Sequence, residues 1–201
     1  MVYFNILQNK KLQGRFIPAI HLPGLIDKDD VDTSLLNTNK LILESTIEDI
    51  IDYIILMTHM SKEEIFDKIL YSKDSTLPMD YIYMKREHEG IEPVYTNVNV
   101  SEISSDEKAL KMMEQLTTLY KDNKIWEIGE LLSSSLSKKD HHIFKRDYKW
   151  HSKIINELES TNTPAMVFGA GHIIRTPLDK RDMNLIDFVK TIGYDVEEVV
   201  I

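Results

Sequence analysis

The chain has 201 residues, 42% of them hydrophobic and 28% charged, enough for one domain with a sizeable core and too apolar for disorder. A formal net charge of −9 at pH 7 supplies no basic field for nucleic acid, and the lack of cysteine excludes disulfides, thiol nucleophiles and thiolate metal sites. Any metal must therefore be held by His, Asp or Glu, and any covalent nucleophile must be Ser, Thr, Lys or a carboxylate.

The N-terminal stretch MVYFNILQNKKLQGRF has no basic start, apolar core and small-residue cleavage site, so no cleavable signal peptide is expected. The first expected element is the apolar run Arg15 to Ile20, RFIPAI, read as a buried strand that runs into His21 before Pro23 and Gly24 break the chain. A polar segment, DKDDVDTSLLNTN, is expected to hold a short helix, and Lys40 to Glu44 a second strand ending in a carboxylate. Ile47, Ile50, Ile51, Ile54 and Ile55 recur at helical spacing. That apolar stretch is interrupted by acids and falls far short of the about 20 residues that span a bilayer. Ser61 with Glu64 forms a capping box for another helix, residues 72–92 read as a loop, and Val94 to Val100 alternates as a strand does.

A second capping box, Ser104 with Glu107, opens a helix carrying Leu110, Met113, Leu116 and Tyr120 on one face. Ile125 to Leu136 reads as helical, as does Asp140 to Leu158 with its stripe of Ile143, Trp150, Ile154 and Leu158. PAMVF follows as a buried strand stopping at Gly169, then a helix from Asn184 to Ile192 closed by Gly193, then a last strand from Asp195 to Val200. The expected fold is thus α/β: a single domain over residues 1–201, with a mixed central sheet flanked by helices and a strand–histidine half-motif near each end.

Chemistry concentrates at those two half-motifs, RFIPAIH and AMVFGAGH. In open α/β sheets sites lie at the carboxyl ends of strands, which is where His21, Glu44 and His172 fall. Gly169 and Gly171 would let the backbone turn sharply and a ligand approach closely. For His172 alone a hydrogen-bonded strand end is an equally ordinary reading, and for His21 and Glu44 alone a structural or solvated strand end is the more ordinary one. Arg146 lies one turn before Trp150, a pairing that is commonly structural. His59 and His88 have no partner at ligand spacing, His141 and His142 are expected to be exposed at a helix start, and His151 lies beside Trp150 but on a different face. Ser133 to Ser135 lack a nucleophile elbow, and the acidic cluster Asp27 to Asp32 lacks the pattern of a calcium loop.

Taken in order, these segments resemble the TraB/GumN/TIKI-type family. KRDYKWHSKIINEL, TPAMVFGAGH and IGYDVEEVV are similar to that family's closing helix, its strand ending in Gly-x-x-His and its final Gly-Tyr-x-Val strand. LTTLYKDNKIWEIGELLS, RFIPAIHLPG and KLILES resemble the family's preceding leucine-rich segment, first Gly-x-x-His strand and Leu-x-Leu-Glu strand. Residues 60–105 match nothing in it. The resemblance implies a site of His21, Glu44, His172 and Arg146; Pro18 stands where the first motif has glycine, and Asp147 where the family has asparagine.

What the resemblance implies is a metal-dependent hydrolase, cleaving peptide bonds or another small-molecule substrate. His21, Glu44 and His172 would hold a divalent cation such as Mn²⁺, Co²⁺ or Zn²⁺, and Arg146 would stabilise the oxyanion. Two alternatives stand beside it: a peptide- or haem-binding protein without turnover, and a bacterial toxin or effector domain. The expected setting is the cytoplasm, or secretion without a cleavable signal, with no membrane span and no nucleic-acid partner.

Overall fold

The computed structural model describes residues 1–20, 28–44, 52, 55, 60–64, 94–95, 107–135, 147–177 and 182–201. Its first strand, Val2–Gln8 (β1), lies where the sequence reading placed no element. VYFNILQ buries Val2, Tyr3, Phe4 and Ile6, and the chain then reverses through Asn9 and Lys10, both at positive φ (51° and 63°). Two left-handed residues make the turn whose twist suits a hairpin. The usual Asn-Gly signal is absent because Lys10 takes the glycine position, and this is why the hairpin was not legible.

Lys11–Ala19 (β2) returns antiparallel to β1, with Phe16 opposite Phe4. Pro18 sits inside β2, where a missing N–H would ordinarily break a ladder. The β1–β2 pairing has ended at Phe4–Phe16 by that point, and the Pro18 carbonyl accepts a hydrogen bond from the Tyr120 hydroxyl at 3.1 Å.

Helix α1 (Lys28–Leu35) leads to β3 (Lys40–Leu43), and Val94–Tyr95 forms a short β4. Helices α2 (Glu107–Lys121), α3 (Ile125–Ser135) and α4 (Asp147–Leu158) follow. Then come β5 (Pro164–Gly169), a five-residue helix α5 (Ala170–Ile174), α6 (Leu185–Thr191) and β6 (Asp195–Val200). The capping box forms as expected: Ser61 N–H donates to the Glu64 carboxylate at 2.7 Å, and Glu64 N–H to Ser61 Oγ at 3.2 Å. Asn184 caps α6 by accepting the Asp187 N–H at 2.7 Å, and Gly193 at φ 96° terminates it. Most of the helix expected around Ile47 to Ile55, the strand beyond Tyr95, Ser104 and the turns before Asp147 lie outside the described residues.

The strands form one six-stranded sheet in the order β4-β3-β5-β2-β1-β6, an α/β fold with a mixed sheet flanked by helices. Strands β4, β3, β5 and β2 are parallel, and at the other side β1 runs antiparallel to both of its neighbours, β2 and β6. Ala165, Met166, Val167 and Phe168 of β5 are wholly buried, as expected for a central parallel strand covered on both faces. On α4, Trp150, Ile154 and Leu158 form the expected buried stripe, with the Trp150 ring 4.7 Å from that of Phe168. No helix among the described residues is long and apolar enough to cross a membrane.

For function, the register is what matters. Ala19 lies opposite Gly169 and Leu43 opposite Val167, so the chain leaves β2, β3 and β5 at one edge of the sheet.

Candidate active site

Glu44 follows β3 directly, and its N–H continues the ladder onto Val167 O at 3.1 Å. That bond turns the Glu44 side chain toward the end of β5, where Oε2 accepts the Gly169 N–H at 2.5 Å. A Cβ at position 169 would stand 3.1 Å from this oxygen, tighter than carbon and oxygen normally approach. Gly169 is therefore the residue that admits the carboxylate. Gly169, expected to let a ligand approach the backbone, gives its N–H to Glu44 instead; Gly171 is half-buried in the first turn of α5.

His172 lies three residues past β5, on α5 rather than at a bare strand end. Its Nδ1 meets Asp147 Oδ1 at 2.6 Å, and its Nε2 lies 3.4 Å from Glu44 Oε1. Asp147 opens α4, and Trp150, one turn further, places its ring edge-on to the imidazole at 4.8 Å. Burial is the largest influence on the imidazole and pushes its pKa down. The Glu44 and Asp147 carboxylates together outweigh it and raise the pKa to about 9. In this arrangement His172 is an imidazolium at neutral pH, held between two carboxylates.

The network continues through Arg175, one helical turn after His172. Its Nη2 lies 3.6 Å from Asp147 Oδ2, and its guanidinium grips Asp182 with both terminal nitrogens, at 3.1 and 2.6 Å. Glu44, Asp147, His172 and Arg175 are each at most 5% exposed, so their charges must be compensated by one another. A chain of alternating sign, Glu44–His172–Asp147–Arg175–Asp182, does so.

Of the residues expected from the sequence, the structure brings Glu44 and His172 together. His21 and Arg146 lie outside the described residues. Asp147, noted only as a departure from the family pattern, and Arg175 are the members the sequence reading missed. The available signals were an acid three residues before the buried Trp150 and a basic residue at i+3 from His172.

Among the described residues no group of three or more His, Asp or Glu is arranged to hold a metal. His172 Nε2 and Glu44 Oε1, paired here at 3.4 Å, have the separation of two ligands each ~2.1 Å from one tetrahedral ion. Asp147 on the far ring nitrogen is the orienting carboxylate that metal-binding histidines commonly carry. The pair supplies an imidazole and a carboxylate, donor types a borderline divalent cation accepts, and is one ligand short of the three protein donors usual in catalytic sites. Comparison of the chain with protein-family models, curated proteins and solved structures returned no match.

Two neighbours yield predictions. The buried Trp150 Nε1–H has no hydrogen-bond partner among the described residues, an omission that costs about 1–3 kcal/mol. Trp150→Phe should therefore lie within about 1.5 kcal/mol of the wild type, whereas Trp150→Ala should lose about 3–5 kcal/mol. Urea unfolding checks this, and equal losses in the two variants would contradict it. His151 stacks on Phe188, ring centroids 3.6 Å apart and planes 5° from parallel. Burial lowers its pKa, against an opposing pull from Asp147. A folded-state pKa below the unfolded value of about 6.5 contributes stability that is present above that pH and lost as pH falls through the folded value. His151→Gln should flatten the decline in urea midpoint below about pH 6.5. An unchanged slope would remove His151 from the acid response.

Proposed function

We propose that the chain is a metal-dependent hydrolase acting on peptide bonds, with His172 and Glu44 as its metal ligands, as its resemblance to the TraB/GumN/TIKI-type family implies. The observation that carries this reading is the convergence of His172 Nε2 and Glu44 Oε1 at 3.4 Å, at the carboxyl ends of adjacent parallel strands, with Asp147 fixing the other ring nitrogen. A divalent cation bound there supplies Lewis acidity and lowers the pKa of water to about 7.

The chain's own groups do the rest. Cation binding would require loss of the Nε2 proton of the imidazolium, and Asp147 would keep the remaining proton on Nδ1, leaving Nε2 as the donor. The Gly169 N–H anchors Glu44 Oε2 and so directs Oε1 toward Nε2. Trp150 packs edge-on against the buried imidazole and is itself backed by Phe168. In this reading His21 is the third ligand and Arg146 the oxyanion donor.

Engagement of both imidazole nitrogens by carboxylates favours one competing reading, a binding domain in which the triad is structural and nothing is turned over. Digestion of a peptide library with chelated protein and with Mn²⁺, Co²⁺ or Zn²⁺ added back, read by mass spectrometry, separates the two. The hydrolase reading expects new termini only with metal. Retention of peptides without cleavage under every condition favours the binding reading.

A further inference from the structure

The two oxygens of Asp147 are used unequally. Oδ1 sits 2.6 Å from His172 Nδ1, while the buried Oδ2 accepts no hydrogen bond from the described residues and lies 3.6 Å from Arg175 Nη2. A carboxylate held at one oxygen alone can pivot about its Cβ–Cγ bond. A fixed positive charge beside the other oxygen makes one orientation the lowest.

Arg175 is fixed by groups other than Asp147. Its guanidinium is gripped by both oxygens of Asp182, and its carbonyl accepts the Asn184 side-chain N–H at 2.9 Å. Asn184 is also the cap of α6, so the arginine is tied to the start of that helix at both its backbone and its side chain. A planar, always-charged fork suits this task where a lysine would not.

We infer that Arg175 is a positioning residue for the site: anchored by Asp182, it holds Asp147 so that the His172 imidazole stays directed at Glu44. The functional consequence rests on the hydrolase reading, but the geometric claim does not. A purely architectural Arg175 would join α5 to α6 and leave the Asp147–His172 bond unaffected by its loss.

The bond is testable in chelator-treated protein without substrate. A buried, charge-assisted N–H···O⁻ bond of 2.6 Å gives a slowly exchanging, low-field imidazole proton in NMR. With the protein labelled at histidine, that resonance is expected in the wild type and absent from His172→Gln. Arg175→Gln should abolish it, and Asp182→Asn should move it upfield and speed its exchange. Lys40→Met, which removes the Lys40–Glu157 ion pair at another place in the fold, should leave it unchanged. An unchanged resonance in folded Arg175→Gln would overturn the inference; should that variant not fold, an unchanged resonance in Asp182→Asn would do so. Equal loss in Lys40→Met would also overturn it, because the signal would then report general stability. Failure of peptide cleavage leaves this result standing, and the reverse holds, so the two claims fail separately.

Discussion

Under the proposed hydrolase function, Glu44→Gln is expected to lower metal-dependent peptide hydrolysis at least about 100-fold while leaving the fold intact. Glutamine is isosteric, keeps an oxygen for the Gly169 N–H, and leaves His172 its shorter partner, Asp147. What it removes is the anionic oxygen 3.4 Å from Nε2. His172→Ala is the blunter variant. It should abolish cleavage too, but it also leaves two buried carboxylates with no cation between them, a change that costs about 3–5 kcal/mol. Activity and chemical denaturation measured on both variants distinguish the effects. Full activity in folded Glu44→Gln would remove Glu44 from the reaction.

Gly129→Ala should destabilise the protein by about 3 kcal/mol or more, although alanine favours a helix by about 1 kcal/mol over glycine. Gly129 lies in α3 against the end of α5, where an added Cβ would fall 2.2 Å from the Ile174 carbonyl oxygen and 3.0 Å from its carbon. Neither is the tip of a flexible side chain, so one helix must move. Two residues before Ile174 is His172, and directly after it is Arg175. Ser133, one turn beyond Gly129, also donates to Thr176 O at 2.9 Å, so α3 is seated on the exit of α5 by contact and by hydrogen bond. A shift there disturbs the imidazole and the guanidinium together. Gly129→Ala should therefore lose activity beyond what its unfolded fraction explains, measured as activity per folded molecule well below the melting temperature. A melting temperature equal to that of the wild type would contradict the packing at Gly129.

How much of this was legible in the sequence follows from how local each cause is. PAMVFG reads as a buried strand because every position is apolar, and Asn184 and Gly193 mark the ends of α6 by local capping chemistry. The hairpin that supplies β1 was hidden because its turn uses Lys10 at positive φ, a choice sustained by pairing on both sides of β1 rather than by the turn itself. Helix α5 was hidden for a related reason: Ala170–Ile174 contains a glycine and has only five residues, so its helicity comes from packing on α3. At the site, Glu44 and His172 were visible as polar residues at ends of apolar runs. Asp147 and Arg175 were not, because each looks like an ordinary helix charge until β5 and α4 bring them beside the imidazole.

The central claim is that His172 and Glu44 jointly bind a divalent cation, and a cobalt(II) titration followed by visible absorption tests it most directly. The account predicts saturable binding with a ligand-field spectrum in the wild type, lost in both Glu44→Gln and His172→Gln and retained in His151→Gln. Identical titrations of the wild type and folded Glu44→Gln would contradict it.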